Sequence, residues 1–333
     1  MNVQAKVLDI LLHHTDRPIS GQILADQLNV SRNAVWKAME QLRAEGYEID
    51  SQRNLGYQLI HVSKQLDAGQ ITNKLDPLWN NLKVELFEEV TSTNNLAKEF
   101  AINHPGQPAL FVSEKQTAGR GRHGRKFSSN LTSGLYFSLV IQPSTINPHY
   151  IPRYTIAAAT AIVQAVEAYS QQPLQIKWVN DLFYKGRKVG GILSEATTDL
   201  ESGTISAVVI GIGINLAGNF EDASPEVAEV AGTLYPDKLP EDFNRNRLLN
   251  LFLQYFTAYH QDLVSSQFMP LYAERLLGMN QHIFYQLNNE SHEGVMTGVN
   301  EEGHLLVKEA TGKIIELTGQ TIHLSSHQFI NRK

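Results

Sequence analysis

Lys115-Gln116-Thr117-Ala118-Gly119-Arg120-Gly121-Arg122-His123-Gly124-Arg125-Lys126-Phe127 is the stretch on which the fold assignment turns. It carries three glycines, three arginines and two lysines. From Glu114 to Lys126 five positive charges face one negative, in a chain whose net charge is -6. Glycines let the backbone approach a ligand, and guanidinium forks bind phosphate or carboxylate in pairs. The segment therefore reads as an anion-binding loop. Gly119, Gly121 and Gly124 also fit G-x-G-x-x-G, the dinucleotide fingerprint. That fingerprint needs a strand before it and a helix opening inside it. A strand precedes (Ala109–Ser113), but Arg125 to Gly134 has no helical period, which argues against a nicotinamide-cofactor fold. A solvated, merely basic loop is the remaining alternative.

Upstream, residues 1–62 read as a winged helix-turn-helix. Val3, Val7, Leu8, Leu11 and Leu12 keep helical spacing. Ser20 is placed to cap Gly21–Leu28, with Ile23, Leu24 and Leu28 inward, and Ser31 to cap a third helix. Ala34, Val35, Ala38, Met39 and Leu42 give that helix one apolar stripe. Two strands, Tyr47–Asp50 and Tyr57–Ile60, flank a turn from Ser51 to Gly56 and make the wing. Ser31, Arg32, Asn33, Trp36 and Lys37 begin and line the outward face of the third helix, where they suit phosphates and base edges. The domain holds six Lys/Arg and seven Asp/Glu. It lacks the usual basic footprint, so a winged helix used for protein contacts stays open.

Residues 63–82 read as a linker and entry helix (Ala68–Leu75). The central region, 83–278, alternates strands and helices. After a strand at Lys83–Glu89, Ser92 and Thr93 begin a helix whose N–H groups suit a polar ligand, although a plain N-cap is the commoner use. Beyond the basic loop come a strand (Gly134–Ile141) and an Ala-rich helix (Tyr154–Tyr169). Ile176–Tyr184 is strand, polar break and strand, and Lys185-Gly186 a hairpin turn leading to Arg187–Glu195. Thr204–Ile214 is an apolar strand with glycines at its end, followed by amphipathic helices at Phe243–Val264 and Phe268–Leu277. Residues 279–333 hold short alternating strands with turns at Asn288-Asn289, Glu302-Gly303 and Thr311-Gly312, a small barrel.

Composition narrows the chemistry. No cysteine is present, which excludes disulfides, thiol nucleophiles and Cys-based zinc sites. The twelve histidines, the His323/His327 pair included, read as non-metal. No apolar run reaches 18 residues and no signal-peptide pattern opens the chain, so a cytoplasmic protein without a membrane partner is expected.

Taken together, Gly119–Arg125, Lys177-Trp-Val-Asn-Asp181, Arg187-Lys-Val-Gly-Gly191 and Gly211-Ile-Gly-Ile-Asn215 resemble the motif set of biotin protein ligases. The leading winged helix and the trailing small barrel resemble the bifunctional form, which is also the biotin operon repressor. The resemblance covers essentially the whole chain. It implies an α+β protein with a winged helix-turn-helix, a mixed α/β ligase domain and an SH3-like β-barrel. It implies formation of biotinoyl-5′-AMP from ATP and biotin, with Mg²⁺, and transfer of biotin to a lysine of the biotin carboxyl carrier protein of acetyl-CoA carboxylase. It further implies an adenylate-bound homodimer that binds the biotin operator.

Carried over residue by residue, Lys188, Arg120 and Arg122 become the candidates for the reacting centre and the biotin carboxylate. Ser92, Thr93, Asn94 and Gln116 become candidates for the biotin ring. Gly119, Gly121, Arg125, Phe127, Asn180, Asp181 and Asn215 become candidates for the nucleotide, with Asp181 the one offered to a metal. The family usually has Arg at the position of His123, Trp at Phe127 and Pro at Val179. Two other readings remain: a ligase whose winged helix does not bind DNA, and a lipoate or octanoyl ligase-type enzyme. A transcription factor that only senses a ligand is a third, from another class.

Overall fold

The computed structural model describes residues 3–52, 55–129, 131, 133–143, 148–198, 203–220, 223–288, 290–319 and 322–330. Arg53 and Asn54 of the wing turn, Asn130, Thr132, Asn289 and the side chains of His123 and His323 lie outside them. The chain forms two compact units, Met1–Pro77 with Asp242–Leu251, and Leu78–Glu241 with Phe252–Lys333.

In the first unit, α1 (Val3–His13), α2 (Gly21–Leu28) and α3 (Arg32–Ala44) precede the antiparallel wing β1 (Glu48–Gln52) and β2 (Gly56–His61). Both serine caps form: Ser20 Oγ accepts from Ile23 N and Ser31 Oγ from Ala34 N, each at 3.1 Å. Asn29 closes α2 in the left-handed region. The three apolar stripes meet in one core of Val7, Leu8, Leu11, Leu24, Val35, Ala38, Met39 and Leu42, with Tyr47, Ile49 and Leu59 from the wing side. One expectation is corrected. Ile23, read as inward, is 50% exposed, because on this eight-residue helix Leu24 and Ala25 already fill the core face.

Residues 63–77 are not free linker. Helix α4 (Ala68–Thr72) carries Gln70, whose amide donates to Tyr47 Oη at 2.9 Å and to Ser63 O at 2.8 Å. Asparagines from 242–251 complete the anchoring. Asn244 Nδ2 donates to Gln70 Oε1, and Asn246 Nδ2 to Gln65 O. Asn250 Nδ2 donates to Ile71 O (2.9 Å) and Asn73 O (2.8 Å). Hydrogen-bonded amides satisfy backbone carbonyls that burial removes from water.

The second unit is built on a seven-stranded sheet, ordered β3-β4-β5-β9-β8-β7-β6. Its strands are β3 (Lys83–Val90), β4 (Ala109–Gln116), β5 (Ser133–Ile141), β6 (Gln175–Lys177), β7 (Asp181–Tyr184), β8 (Arg187–Thr198) and β9 (Ile205–Ala217). Only β3 and β4 run parallel, joined through α5 (Thr93–Asn103); the other neighbours are antiparallel. The β7–β8 hairpin turns through Lys185 and Gly186, both at positive φ, as a two-residue hairpin turn requires. Further helices are α6 (Ile151–Ser170), α7 (Pro225–Val230) and α9 (Met269–Glu274), while α8 (Arg245–Gln261) starts in the 242–251 segment of the first unit and ends in the second. Strands β10 (His282–Leu287), β11 (Glu290–Val299), β12 (Leu305–Lys308), β13 (Ile314–Leu317) and β14 (Ile322–Leu324) form the small C-terminal β-domain, an antiparallel sheet ordered β13-β12-β11-β10-β14.

One face of β9 changes character along its length. Ala207 and Val209 pack beneath α5 with Ala97, Phe100 and Ala101. Alternation puts residues 211, 213 and 215 on the same face. There the side chains stop: a Cβ at Gly211 would fall 1.9 Å from Asn94 Oδ1, and one at Gly213 2.5 Å from the Phe127 ring. Bare strand follows covered strand at the point where α5 begins. Among the described residues no helix is long and apolar enough to cross a membrane.

The Asn250 anchor gives a test. Asn250→Ala removes both amide donors from buried carbonyls and should lower stability by about 1–3 kcal/mol, read as a shift in the urea midpoint.

Candidate functional site

The basic loop leaves β4 and returns along it. Gln116 bridges to Ser129 and Arg120 to Lys126, so the loop is a distorted hairpin folded over the bare strip of β9. Beneath it lies a cavity of about 160 Å³. Among the described residues its lining carries six cationic side chains (Arg120, Arg122, Arg125, Lys126, Lys177 and Lys188) against the carboxylate of Asp181.

Asp181 is the electrostatic hinge of this group. It lies at the start of β7, opposite Lys177 of β6 and Gly191 of β8. Its Oδ2 is 3.1 Å from Lys177 Nζ and its Oδ1 2.6 Å from Lys188 Nζ. Burial by itself would raise the carboxyl; the ammonium groups of Lys188 and Lys177 reverse that and hold it down at about 2. Burial pushes Lys177 down, and Asp181 opposes the fall. Burial also lowers Arg122, again with Asp181 opposing. Asp181 was the residue offered to a metal. With an ammonium on each oxygen it does not present a metal ligand, and Mg²⁺ does not fit this donor set.

The other sequence candidates fall in three groups. Ser92, Thr93, Gln116, Gly121, Phe127 and Asn180 line the same cavity as Arg120, Arg122, Arg125, Asp181 and Lys188. Ser92 occupies the N-cap of α5 yet makes no side-chain capping bond, so its hydroxyl is not used as the plain cap the sequence allowed. Phe127 lies over Gly213 with its ring 6.4 Å from that of Tyr136. Arg122 donates to Gly319 O at 2.6 Å, and Asn180 donates to Ile192 O at 2.6 Å.

A second group supports the walls. Asn94 is buried behind Thr93, bonded to Glu195 and Ser138. Gly119 is packed so that a Cβ would fall 2.5 Å from Phe127 O and from Ser129 Oγ. Asn215 continues the Gly211/Gly213 face. It is 4% exposed, and its Oδ1 has no hydrogen-bond partner among the described residues.

The DNA-binding candidates are in the first unit. Ser31, Arg32, Asn33, Trp36 and Lys37 are all exposed at the start and along the outer face of α3. Ser31 is the helix cap.

Sequence reading gave no role to Lys177, Ser138, Glu195 or the β14 residues Ile322 and Leu324, which reach the same region. A lone serine inside the apolar run of β5 was the available signal for Ser138. Separately, His304 Nδ1 lies 3.6 Å from Glu302 and 3.7 Å from Glu316, a cluster of one imidazole and two carboxylates in the C-terminal β-domain.

A cation-lined cavity on a mixed sheet, in a chain that begins with a helix-turn-helix, fits an acid-activating ligase joined to a DNA-binding module. Residues 86–215 match the biotin/lipoate A/B protein ligase family and residues 3–58 an HTH domain. The chain is 34% identical over 297 residues to the bifunctional ligase/repressor BirA of Bacillus spizizenii, covering 88% of this chain and 90% of the relative. It is 33% identical to that of Bacillus subtilis over the same shares. The solved biotin protein ligase of Aquifex aeolicus, in complex with biotin and ATP, superposes with a TM-score of 0.58 at 26% identity, covering 73% of this chain and 99% of that one. The chain belongs to the biotin protein ligase family, in its bifunctional ligase/repressor form.

Asp181→Asn should cost about 3–5 kcal/mol near pH 7, since it leaves Lys177 buried without its counter-charge. The lowered carboxyl stabilises the fold above its ordinary value near 3.8, and the contribution is lost as pH falls toward about 2. The stability gap between wild type and variant should therefore narrow from about pH 4 downward. Urea titrations across that range read it.

Proposed function

We propose that this chain activates biotin with ATP to biotinoyl-5′-AMP and transfers biotin to a lysine of a biotin carboxyl carrier protein, and that it represses biotin-operon transcription. The observation that carries the catalytic half is the set of six cations facing Asp181 across one cavity, over a glycine-bared strand. Biotin's carboxylate must attack the α-phosphorus of ATP, bringing two anions together as pyrophosphate leaves. Cations placed before the reaction offset that repulsion and stabilise the charge that develops.

The roles divide by position. Lys188 serves the carboxylate and the α-phosphate, since Asp181 keeps Lys177 when Lys188 turns to a ligand. Arg120 and Arg122 hold the adenylate under the loop and Arg125 meets the nucleotide phosphates. Phe127 offers adenine a face, with Asn180 and the unpaired carbonyl of Asn215 nearby. Ser92, Thr93 and Gln116 take the neutral biotin ring. In the second step the acceptor lysine's amine attacks the acyl carbon, the new amide forms, and AMP leaves with the electron pair of the broken acyl–phosphate bond. Mg²⁺ enters with the phosphates of ATP. The acceptor is the carrier domain of acetyl-CoA carboxylase, and the protein works in the cytoplasm.

The exposed α3 face supports operator binding. One small helix-turn-helix of balanced charge gains little non-specific attraction from DNA. Two copies on a two-fold axis would add their contacts, so adenylate-dependent dimerisation is the natural switch.

Incubation of the full chain with biotin, Mg·ATP and a carrier domain should add one biotin mass to the carrier; labelling by lipoate instead would sink the reading. Lys188→Ala should slow biotin-dependent ATP–pyrophosphate exchange by roughly 10²–10³. Arg32→Ala should weaken operator binding by about 1–3 kcal/mol in a titration at fixed salt. Sedimentation with and without adenylate tests the dimer.

A further inference from the structure

Three residues, Trp178, Val179 and Asn180, carry the chain from Lys177 at the end of β6 to Asp181 at the start of β7. That turn aims the Asp181 carboxylate at both of its ammonium partners. The strands beside it are short, three residues in β6 and four in β7, and the β7–β8 ladder slips between Leu182 and Phe183. Main-chain pairing alone therefore fixes the turn loosely, and other elements hold it. Trp178 Nε1 donates to Gly303 O at 2.9 Å, and Asn180 Nδ2 to Ile192 O at 2.6 Å. The carbonyl in the middle, Val179 O, accepts from Tyr272 Oη at 3.0 Å. Trp178 and Asn180 line the cavity; Tyr272 does not, and it is 0% exposed.

Tyr272 stands on α9, and α9 is anchored on two sides. Arg275 forks onto Glu167 of α6, Nε to Oε1 at 3.0 Å and Nη2 to Oε2 at 3.1 Å, a geometry that fixes direction as well as distance. The chain leaving α9 then runs along the outer edge of β6: Ile176 N donates to Arg275 O at 2.7 Å and Leu277 N to Ile176 O at 2.8 Å. One segment thus holds both the strand that enters the turn and the turn itself. A core tyrosine needs some acceptor for its hydroxyl, and any buried carbonyl would satisfy it. The carbonyl used here lies midway between Lys177 and Asp181, where a support also bears on the charges.

We propose that Tyr272 is a positioning residue for the ligase reaction: its hydroxyl holds the turn at Val179 and so keeps Asp181 aimed at Lys188. This rests on the ligase reading and deepens it. Lys188 must leave Asp181 to meet the reacting anions, and where its ammonium can reach depends on where that carboxylate stands. Without the hydroxyl, Val179 O loses its donor and the turn can shift. A displacement of about 1 Å at a reacting centre slows chemistry by up to about 10²-fold. The groups proposed for the biotin ring, at the start of α5 and the end of β4, are not carried by this turn. The loss therefore falls on kcat rather than on the biotin KM.

The test is biotin-dependent ATP–pyrophosphate exchange by the full chain, with kcat and the biotin KM measured separately. Tyr272→Phe keeps the ring and removes the hydroxyl. It should lower kcat about 10-fold or more and leave the biotin KM within about twofold. Thr257→Val is the control. It unpairs the buried Trp79 Nε1, which lies 2.6 Å from Thr257 Oγ1, and neither residue lines the cavity. Its urea midpoint should fall as that of Tyr272→Phe does, while its kcat stays within about twofold of wild type. In a Lys188→Ala background Tyr272→Phe should cost no more than about twofold further, because the hydroxyl acts through Asp181 on Lys188. If Tyr272→Phe keeps the wild-type kcat, slows the Lys188→Ala chain by the same factor as wild type, or is matched in kcat loss by Thr257→Val, the hydroxyl serves the core alone and the proposal is overturned. If wild type itself performs no biotin-dependent exchange, the ligase reading falls and the proposal with it, a result visible before any variant is made.

Discussion

Like charges crowded into one cavity repel, and the catalytic unit must hold them there before any anion arrives. Asp181 makes this tolerable. Its position on β7 puts one oxygen on Lys177 of the neighbouring β6 and the other on Lys188 of β8, so one carboxylate offsets two ammonium groups from two strands. The pairing is unequal in burial. Lys177 is 7% exposed, whereas Lys188 lies half-open at the cavity. A buried ammonium needs a permanent partner and a half-open one can exchange it. The arginines lean less on Asp181: Arg122 is also held by a carbonyl, and Arg120 and Arg125 reach solvent.

The second constraint is room. The sheet could carry side chains along the whole of β9, and under α5 it does. Past the start of the helix it switches to Gly211 and Gly213, and the space released is taken by Asn94 and Phe127. The same pair of glycines therefore admits both the buried amide of Asn94 and the aromatic ring of Phe127.

Much of this was legible in the chain itself. Serine caps and apolar periods in residues 1–62 depend on neighbours three or four positions away, so Ser20, Ser31 and the α3 stripe came out as expected. The glycine and arginine pattern of the basic loop and the Lys177–Asp181 motif carry their chemistry in their composition. What stayed hidden depends on strand register. Nothing in local spacing pairs Glu195 with Asn94, 101 positions away, or brings Ser138 between Asn94 and Thr93. Ile23 misled because a helical period allows two adjacent positions to compete for one core face, and Leu24 took it. The asparagines of 242–251 were invisible for the same reason as Glu195: their partners are carbonyls some 180 residues earlier. At Val179, where the family pattern has proline, the bond from Trp178 is cis.

Arg122 reaches Gly319 through that residue's backbone carbonyl. Every amino acid supplies the same oxygen, so drift at position 319 cannot delete the acceptor, though a side chain there would begin 3.0 Å from the guanidinium. The link is genetically lopsided. It is open to loss by a single codon change in the basic loop and shielded from loss by most changes in the C-terminal sheet. Lineages diverging from this sequence are thus free to remodel the surface of that sheet while keeping its hold on the loop, provided residue 319 stays small.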